Sequence, residues 1–385
     1  MDRRGKAKGL GDSMTDRLES GLAALDAFAA YSTDDRSLLI VAKCRGLLRG
    51  YHARWQDAPY VVDAVENLVI SDLWNPETGR KSRSFRVAGK LDTTGYSGRR
   101  VVMDHKSTSE DISDPNAPYW RQLVIEGQVS HYSLLEWLNG RKVDEAVWDV
   151  MRKPGISPKN VSKADATQVA VTRCYFGQEM SAETLAQLRE TGRENFEMYE
   201  ARLAHDCTTE RPQWYFQRRT VPRLDADLHE YATELWEHSQ EILHARRENR
   251  WARNSGACML YGSPCKFLGI CSGYDTADSD NWKRKANVHT ELPMLDGDGR
   301  DVLTNSRIRC FQTCRRKHYL QYELGLERQD EEEREALLFG TVWHLGLEAW
   351  FSASKGVVDG NDHNDTPVSA IGNASSNADE TPVYF

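Results

Sequence analysis

Long apolar runs are missing from this chain. No stretch can cross a bilayer as a helix and no secretory leader is evident, so a cytosolic setting without membrane contact is expected. Net positive charge is missing as well. The formal balance is −8 at pH 7, so the molecule as a whole should not attract polyanions, and nucleic-acid binding would need cations gathered locally. Mean hydropathy is low, −0.65. Even so, 39% hydrophobic residues and 11 tryptophans in 385 residues can bury the core of one large domain or two small ones.

What is present begins with three charged residues. Phe85-Arg-Val-Ala-Gly-Lys-Leu-Asp92 and Val101-Val-Met-Asp104-His-Lys106-Ser read as two short strands with charged ends, joined by a glycine-containing hairpin over residues 93–100. Buried strands rarely end in two carboxylates and a lysine unless something pairs them. A divalent cation between Asp92 and Asp104, with Lys106 beside an attacking water, supplies that partner and suits phosphodiester hydrolysis. Asp-X-Lys alone is usually a solvated strand end; here the second carboxylate lies twelve residues upstream on an adjacent strand. A helix follows from Tyr119, with Gln128 and Tyr132 four residues apart on one face.

Asp…Asp-X-Lys…Gln-X-X-X-Tyr on strand, strand and helix resembles the RecB-like exonucleases of the PD-(D/E)XK superfamily over about fifty residues. The superfamily's proline before the first aspartate is replaced by Gly89-Lys-Leu-Asp92, a form common in the RecB-like branch. The resemblance implies an α/β restriction-endonuclease-like fold, a central mixed sheet flanked by helices. It also implies a DNase, an exonuclease in recombination, repair or phage DNA processing, acting on DNA alongside a helicase or recombination partner. Asp92 and Asp104 would hold Mg²⁺ or Mn²⁺. Lys106 would orient the water, and Gln128 and Tyr132 would position the strand. Glu66, in a valine-rich strand over residues 60–72, stands where such proteins place an acidic residue beside the metal; its bland alternative is an exposed strand glutamate.

Eight cysteines occur, and three crowd into Cys258-Met-Leu-Tyr-Gly-Ser-Pro-Cys265-Lys-Phe-Leu-Gly-Ile-Cys271. In a reducing compartment such a cluster more often binds metal than forms disulfides. A fourth ligand is needed; Cys314 is the best candidate and Cys310, one helical turn away, its rival. Zn²⁺ also suits four sulfurs. The segment Cys314-Arg-Arg-Lys-His-Tyr-Leu resembles the opening helix of the iron–sulfur branch, which includes the AddB subunit and the CRISPR-adaptation exonucleases, and this implies a [4Fe–4S] cluster on a helical lobe. Cys44, Cys174 and Cys207 are isolated and read as buried or partly buried thiols.

The order of parts is unusual. In the family, the cysteine helix and the Phe339-Gly-Thr-Val-Trp-His344 helix, whose histidine joins the metal site, come first; here they come last. Residues 1–275 read as a nuclease body, 276–299 as a polar linker, 300–352 as the head segment and 353–385 as a disordered tail. A circular permutant closing on itself, a slice of a tandem array and a cut reading frame all fit. Candidate DNA contacts are Arg315, Arg316 and Lys317, with Arg307, Arg309 and His318 near them; Arg49, His52, Arg54 and residues 283–285 are lesser groups. Other expected helices are 14–31, 36–56, 181–204 and 224–249, with strands at 144–152 and near 214–219 and a loop over 153–167. Two other classes remain open: a non-catalytic iron–sulfur or zinc DNA-binding module, and an inactive fragment of a longer nuclease.

Overall fold

In the computed structural model, which describes residues 10–260, 262–293, 299–329 and 335–354, two long helices lead into the sheet. They are α1 (Leu10–Ala30) and α2 (Asp35–Trp55). The second begins at Asp34, whose carboxylate accepts the Ser37 amide at 2.9 Å and caps the free first turn. Strands β1 (Val61–Trp74), β2 (Lys81–Tyr96) and β3 (Arg100–Thr108) form an antiparallel meander. The chain then crosses over through α3 (Pro118–Val124) and α4 (Gly127–Leu138) to β4 (Glu145–Arg152), parallel to β3. After α5 (Phe196–His205), β5 (Phe216–Val221) closes the far edge, and α6 (Asp225–Glu248) returns across the sheet.

The head segment joins the same sheet. Strand β6 (Asp301–Leu303) runs parallel to β2 at Phe85–Val87, on the edge that β3 occupies further along. Helices α7 (Asn305–Thr313) and α8 (Glu335–Ser352) follow. The result is a mixed, mostly antiparallel sheet between helices, compatible with a PD-(D/E)XK core. Among the described residues no helix is long and apolar enough to cross a membrane.

Two cores lie on opposite faces of the sheet. One gathers α1, α2, α5 and α8 over Val101 and Met103; the other gathers α4 and α6 over Val102, Phe85 and Leu91. Because alternate strand residues face opposite ways, β3 feeds both. The α1–α8 crossing is close: a Cβ at Gly21 would stand 2.9 Å from the Gly346 carbonyl oxygen and 2.6 Å from Leu48 Cδ2. Trp343, Leu347, Trp350 and Phe351 of α8 are all buried there.

Several boundaries differ from the sequence reading. The helix expected from Tyr119 breaks at residues 125–126, and that expected at 181–204 breaks into Ala182–Thr191 and Phe196–His205. The 153–167 loop ends in a helix, Lys163–Thr172, started by the Ser162 cap. The polar linker is not featureless: Trp282–Arg284 pairs with Leu326–Arg328, and Trp282 stacks on Phe267 at 5.2 Å. The lobe bearing the cysteines is therefore not purely helical, since it also holds the Met259–Leu260/Ser263–Pro264 hairpin. Cys174 is exposed rather than buried. The acidic stretch 330–334 and the tail from 355 lie outside the described residues.

If α8 is held by this core, Trp343→Ala should lower the unfolding free energy by about 3–5 kcal/mol, the usual cost of deleting a buried tryptophan side chain. Urea unfolding measures it; a loss under about 1 kcal/mol would show that the helix does not pack there.

Candidate active site

Asp92 and Asp104 stand where β2 and β3 part. The ladder between these strands pairs Thr93 with Met103 and runs on to Tyr96 and Arg100. Past Met103, the backbone amide of His105 donates instead to Asp92 Oδ2 at 2.8 Å. On the other side of β2, Glu66 interrupts β1 opposite Asp92 with a φ of 51°, a left-handed conformation that costs a β-strand glutamate of order 1–3 kcal/mol. Its effect is a reversal of faces. Val65 and Val69 are four apart and should share a face, yet Val65 packs in the α8 core and Val69 in the α4 core.

The reversal accompanies a convergence of Glu66 with two ligand groups from other elements. A carboxylate oxygen of Glu66, one of Asp92 and a ring nitrogen of His344 all lie within 4.8 Å of one another. Glu66 also meets the Lys90 ammonium. Asp104 is fully buried beside this group. Its Oδ1 accepts from Gln128 Nε2 at 2.8 Å, while Oδ2 meets Lys106 Nζ at 2.6 Å without an aligned hydrogen bond. Gln128 further accepts from Lys106 Nζ at 2.8 Å and donates to the Tyr132 hydroxyl at 2.9 Å. Each of the residues singled out for catalysis or for Mg²⁺ or Mn²⁺ thus enters one connected cluster. A hard divalent cation fits a set of two or three carboxylates and one imidazole. Burial lowers the His344 pKa, which favours the neutral ring a metal ligand needs.

Behind this cluster lies a polar network the sequence did not disclose. His105 bonds Thr93 Oγ1 through Nε2 at 2.7 Å and Asp149 Oδ2 through Nδ1 at 2.9 Å, tying β2 and β4 across β3. Asp149 also accepts from the Tyr51 hydroxyl and, at 3.0 Å, from Arg218 Nε. Burial pushes the Asp149 carboxyl up, but Arg218 and His105 outweigh it and bring the pKa to about 2. A carboxylate within the apolar run Ala146-Val-Trp-Asp149-Val-Met was the available signal, since a buried charge needs a partner.

The basic residues separate into two kinds. Arg307 is fully buried and binds Asp301, the Val302 carbonyl and Glu323, with its Nε 3.1 Å from His318. Neither Arg307 nor the equally buried His318 is open to a ligand, which corrects their reading as DNA contacts. Arg315 pairs with Glu241 at 2.8 Å, and Arg316 lies over the Tyr319 ring. Only Lys317 of that trio lines the cleft of about 1050 Å³ that also contains Glu66, Asp92, Gln128 and His344. Arg49 is tied to Glu200, and Lys283 and Lys285 to Glu327.

Four cysteines meet around a smaller cavity. Cys258, Cys265, Cys271 and Cys314 line it together, whereas Cys310 lines the large cleft. Burial raises the Cys271 thiol; Cys265, Cys314 and Cys258 add to the rise, and Arg316 opposes it.

A model of the PD-(D/E)XK nuclease superfamily matches residues 302–379. That match covers β6, α7 and α8 and extends past the described residues. No curated protein and no solved structure matches the chain. The superfamily match suggests a nuclease, and its members typically use Mg²⁺ or Mn²⁺.

The site makes a pH prediction. Burial, and then the neighbouring Asp104 charge, push the Asp92 carboxyl from 3.8 up to about 7. Between those values the folded chain holds a proton that the unfolded chain releases, so the metal-free protein should lose stability as pH rises through this window and no further above it. A cation must displace that proton. Mn²⁺ affinity measured by calorimetry should therefore climb with pH and level off above about 7, and Asp92→Asn should bind weakly with a flat profile. An affinity independent of pH in the parent would remove Asp92 from the ligand set.

Proposed function

We propose that this protein is a metal-dependent DNase of RecB-like type, with exonuclease action the favoured mode. The observation that carries the reading is the convergence of Glu66, Asp92 and His344 within 4.8 Å, next to the bonded set Asp104, Lys106 and Gln128. Six residues drawn from positions 66 to 344 have no structural need to meet in one partly buried group that sets three carboxylates side by side.

Glu66, Asp92 and His344 would hold Mg²⁺ or Mn²⁺, with Asp104 completing the set. When bound, the cation supplies positive charge at the scissile phosphate and acidity for water. The other work falls to the chain. Lys106 holds its ammonium at the mouth of the carboxylate pair, where it orients the attacking water and offsets charge developing on the phosphate oxygens. Gln128 fixes both Lys106 Nζ and Asp104 Oδ1, so the two charged groups keep one geometry. Tyr132 in turn holds Gln128. His105 uses its backbone to orient Asp92 and its ring to brace the strand.

Cys258, Cys265, Cys271 and Cys314 are assigned to a structural [4Fe–4S] cluster. The four thiols line one small cavity together, which suits four-sulfur ligation by either cofactor, and the resemblance of the Cys314 segment to the iron–sulfur branch favours the cluster over zinc. On this reading the head and body belong to one molecule whose elements follow a rotated order. A role in recombination, repair or phage DNA processing with a helicase partner follows from the RecB-like reading.

Labelled single- and double-stranded DNA incubated with Mg²⁺, Mn²⁺ or EDTA tests the activity. Asp104→Asn and Lys106→Ala should each slow cleavage by about 10²-fold or more, the scale of losing one preorganised charge. Cleavage at the parent rate by either variant would place the chemistry elsewhere. Protein purified without oxygen should carry about four irons per chain, and Cys271→Ser should lose them together with stability, because ligation contributes folding free energy. Zinc without iron would overturn the cluster.

A further inference from the structure

Where α1, α2 and α8 come together, buried hydrogen-bond donors go without acceptors. Among the described residues, Arg17 Nε, Arg54 Nε, Trp55 Nε1 and the Tyr60 hydroxyl are shielded from solvent and bond nothing. A buried donor in that state keeps the cost of having left water. Arg17, Trp55 and Tyr60 line one small cavity together with Arg218, Trp350 and Phe351. Arg54 stands beside it, over the Trp55 ring at 4.9 Å, and Arg218 lies over the same ring at 4.3 Å.

Charge is unbalanced in the same sense. Among the described residues no carboxylate pairs with Arg17 or Arg54. Arg218 is met by Asp149, but that carboxylate is shared with His105 and Tyr51. Asp63 answers Arg100 and Thr94, and Asp57 is exposed. Burial lowers the Arg17 pKa; burial and then the Arg218 charge lower that of Arg54. His52, bonded to the Trp350 indole at 3.2 Å, is lowered by burial and then by Arg17. The cavity measures about 10 Å³, room for one water-sized body. Water would bring two hydrogens of its own to a place already rich in donors. A monatomic anion accepts on every side and brings the missing negative charge.

We propose that this cavity is a halide site, filled by one chloride ion that accepts from Arg17 Nε, Trp55 Nε1 and the Tyr60 hydroxyl, with Arg54 and Arg218 supplying charge. The ion joins α1, the end of α2, the residue before β1 and strand β5 around Trp350 and Phe351. It thereby holds α8, the helix that carries His344, from behind. The cavity shares no lining residue with the large cleft, so the site stands whether or not the protein is a nuclease.

The full chain, prepared without oxygen and crystallised from bromide, should show a difference peak between Arg17 and Trp55 that appears above the bromine absorption edge and not below it. In solution, thermal unfolding is compared at one ionic strength and scan rate in chloride, in bromide and in gluconate, an anion too large for the cavity. Chloride and bromide should each raise Tm over gluconate by about 3 °C or more, the shift of a ligand at ~100 times its Kd on a chain of 385 residues. Arg17→Met keeps a good helix former beside the Trp350 ring and should melt alike in all three salts. Tyr60→Phe deletes one oxygen and little packing; it should shrink the shift, and decides the matter if Arg17→Met fails to fold. An equal Tm for the parent in chloride and gluconate, or a difference that these variants retain in full, would overturn the assignment. A bromine peak without a thermal response would overturn it too, since that is an adventitious ion only.

Discussion

Burial of the apolar face of α8 is the constraint on which the site depends. Trp343, Leu347, Trp350 and Phe351 fill the space between α1, α2 and the sheet, and the Gly21–Gly346 crossing lets the helices approach closely enough to do so. His344 follows Trp343 in sequence, so fixing one places the other. Phe351 lies against the His105 ring at 4.9 Å, which couples the same helix to the strand carrying Asp104 and Lys106. A residue near the end of the described chain thus becomes part of a site founded on residue 66.

Electrostatics opposes this arrangement and backbone geometry enforces it. Glu66, Asp92 and Asp104 repel one another, and Asp104 is fully buried. The chain partly offsets this with Lys90 on Glu66, Lys106 on Asp104 and a backbone amide on Asp92. It adds a strained φ at Glu66 and a pKa raised to about 7 at Asp92. Strain and like charge gathered at one point mark this cluster as a candidate functional site.

Much of this was legible in the sequence. Two strands ending in Asp92 and Asp104-His-Lys106, and a helix with Gln128 and Tyr132 one turn apart, follow from local pattern, and the structure brings those residues together. Pattern could not show how the strands part. The face reversal at Glu66 depends on a backbone angle that no periodicity encodes, and the Tyr51–Asp149–Arg218 network depends on pairing across 167 positions in the chain. Charge runs misled for a related reason. Arg307 and His318 stand in a basic stretch that looks solvated, but Asp301 and Glu323 draw the arginine inward, leaving Lys317 as the cleft's unpaired cation among the described residues. The 276–299 stretch reads as linker from its polarity, although Trp282 is anchored on Phe267.

The central claim is that one molecule supplies both His344 and Asp104 to the same site. It is tested most directly by producing His344→Ala and Asp104→Asn chains together in one cell, purifying them as a mixture without oxygen and assaying a labelled strand with Mn²⁺, beside the parent prepared identically. The account predicts a parent that cleaves and a mixture as inactive as either variant alone. Cleavage recovered in the mixture would show that the head of one chain completes the body of another, and a parent without cleavage would contradict the site itself.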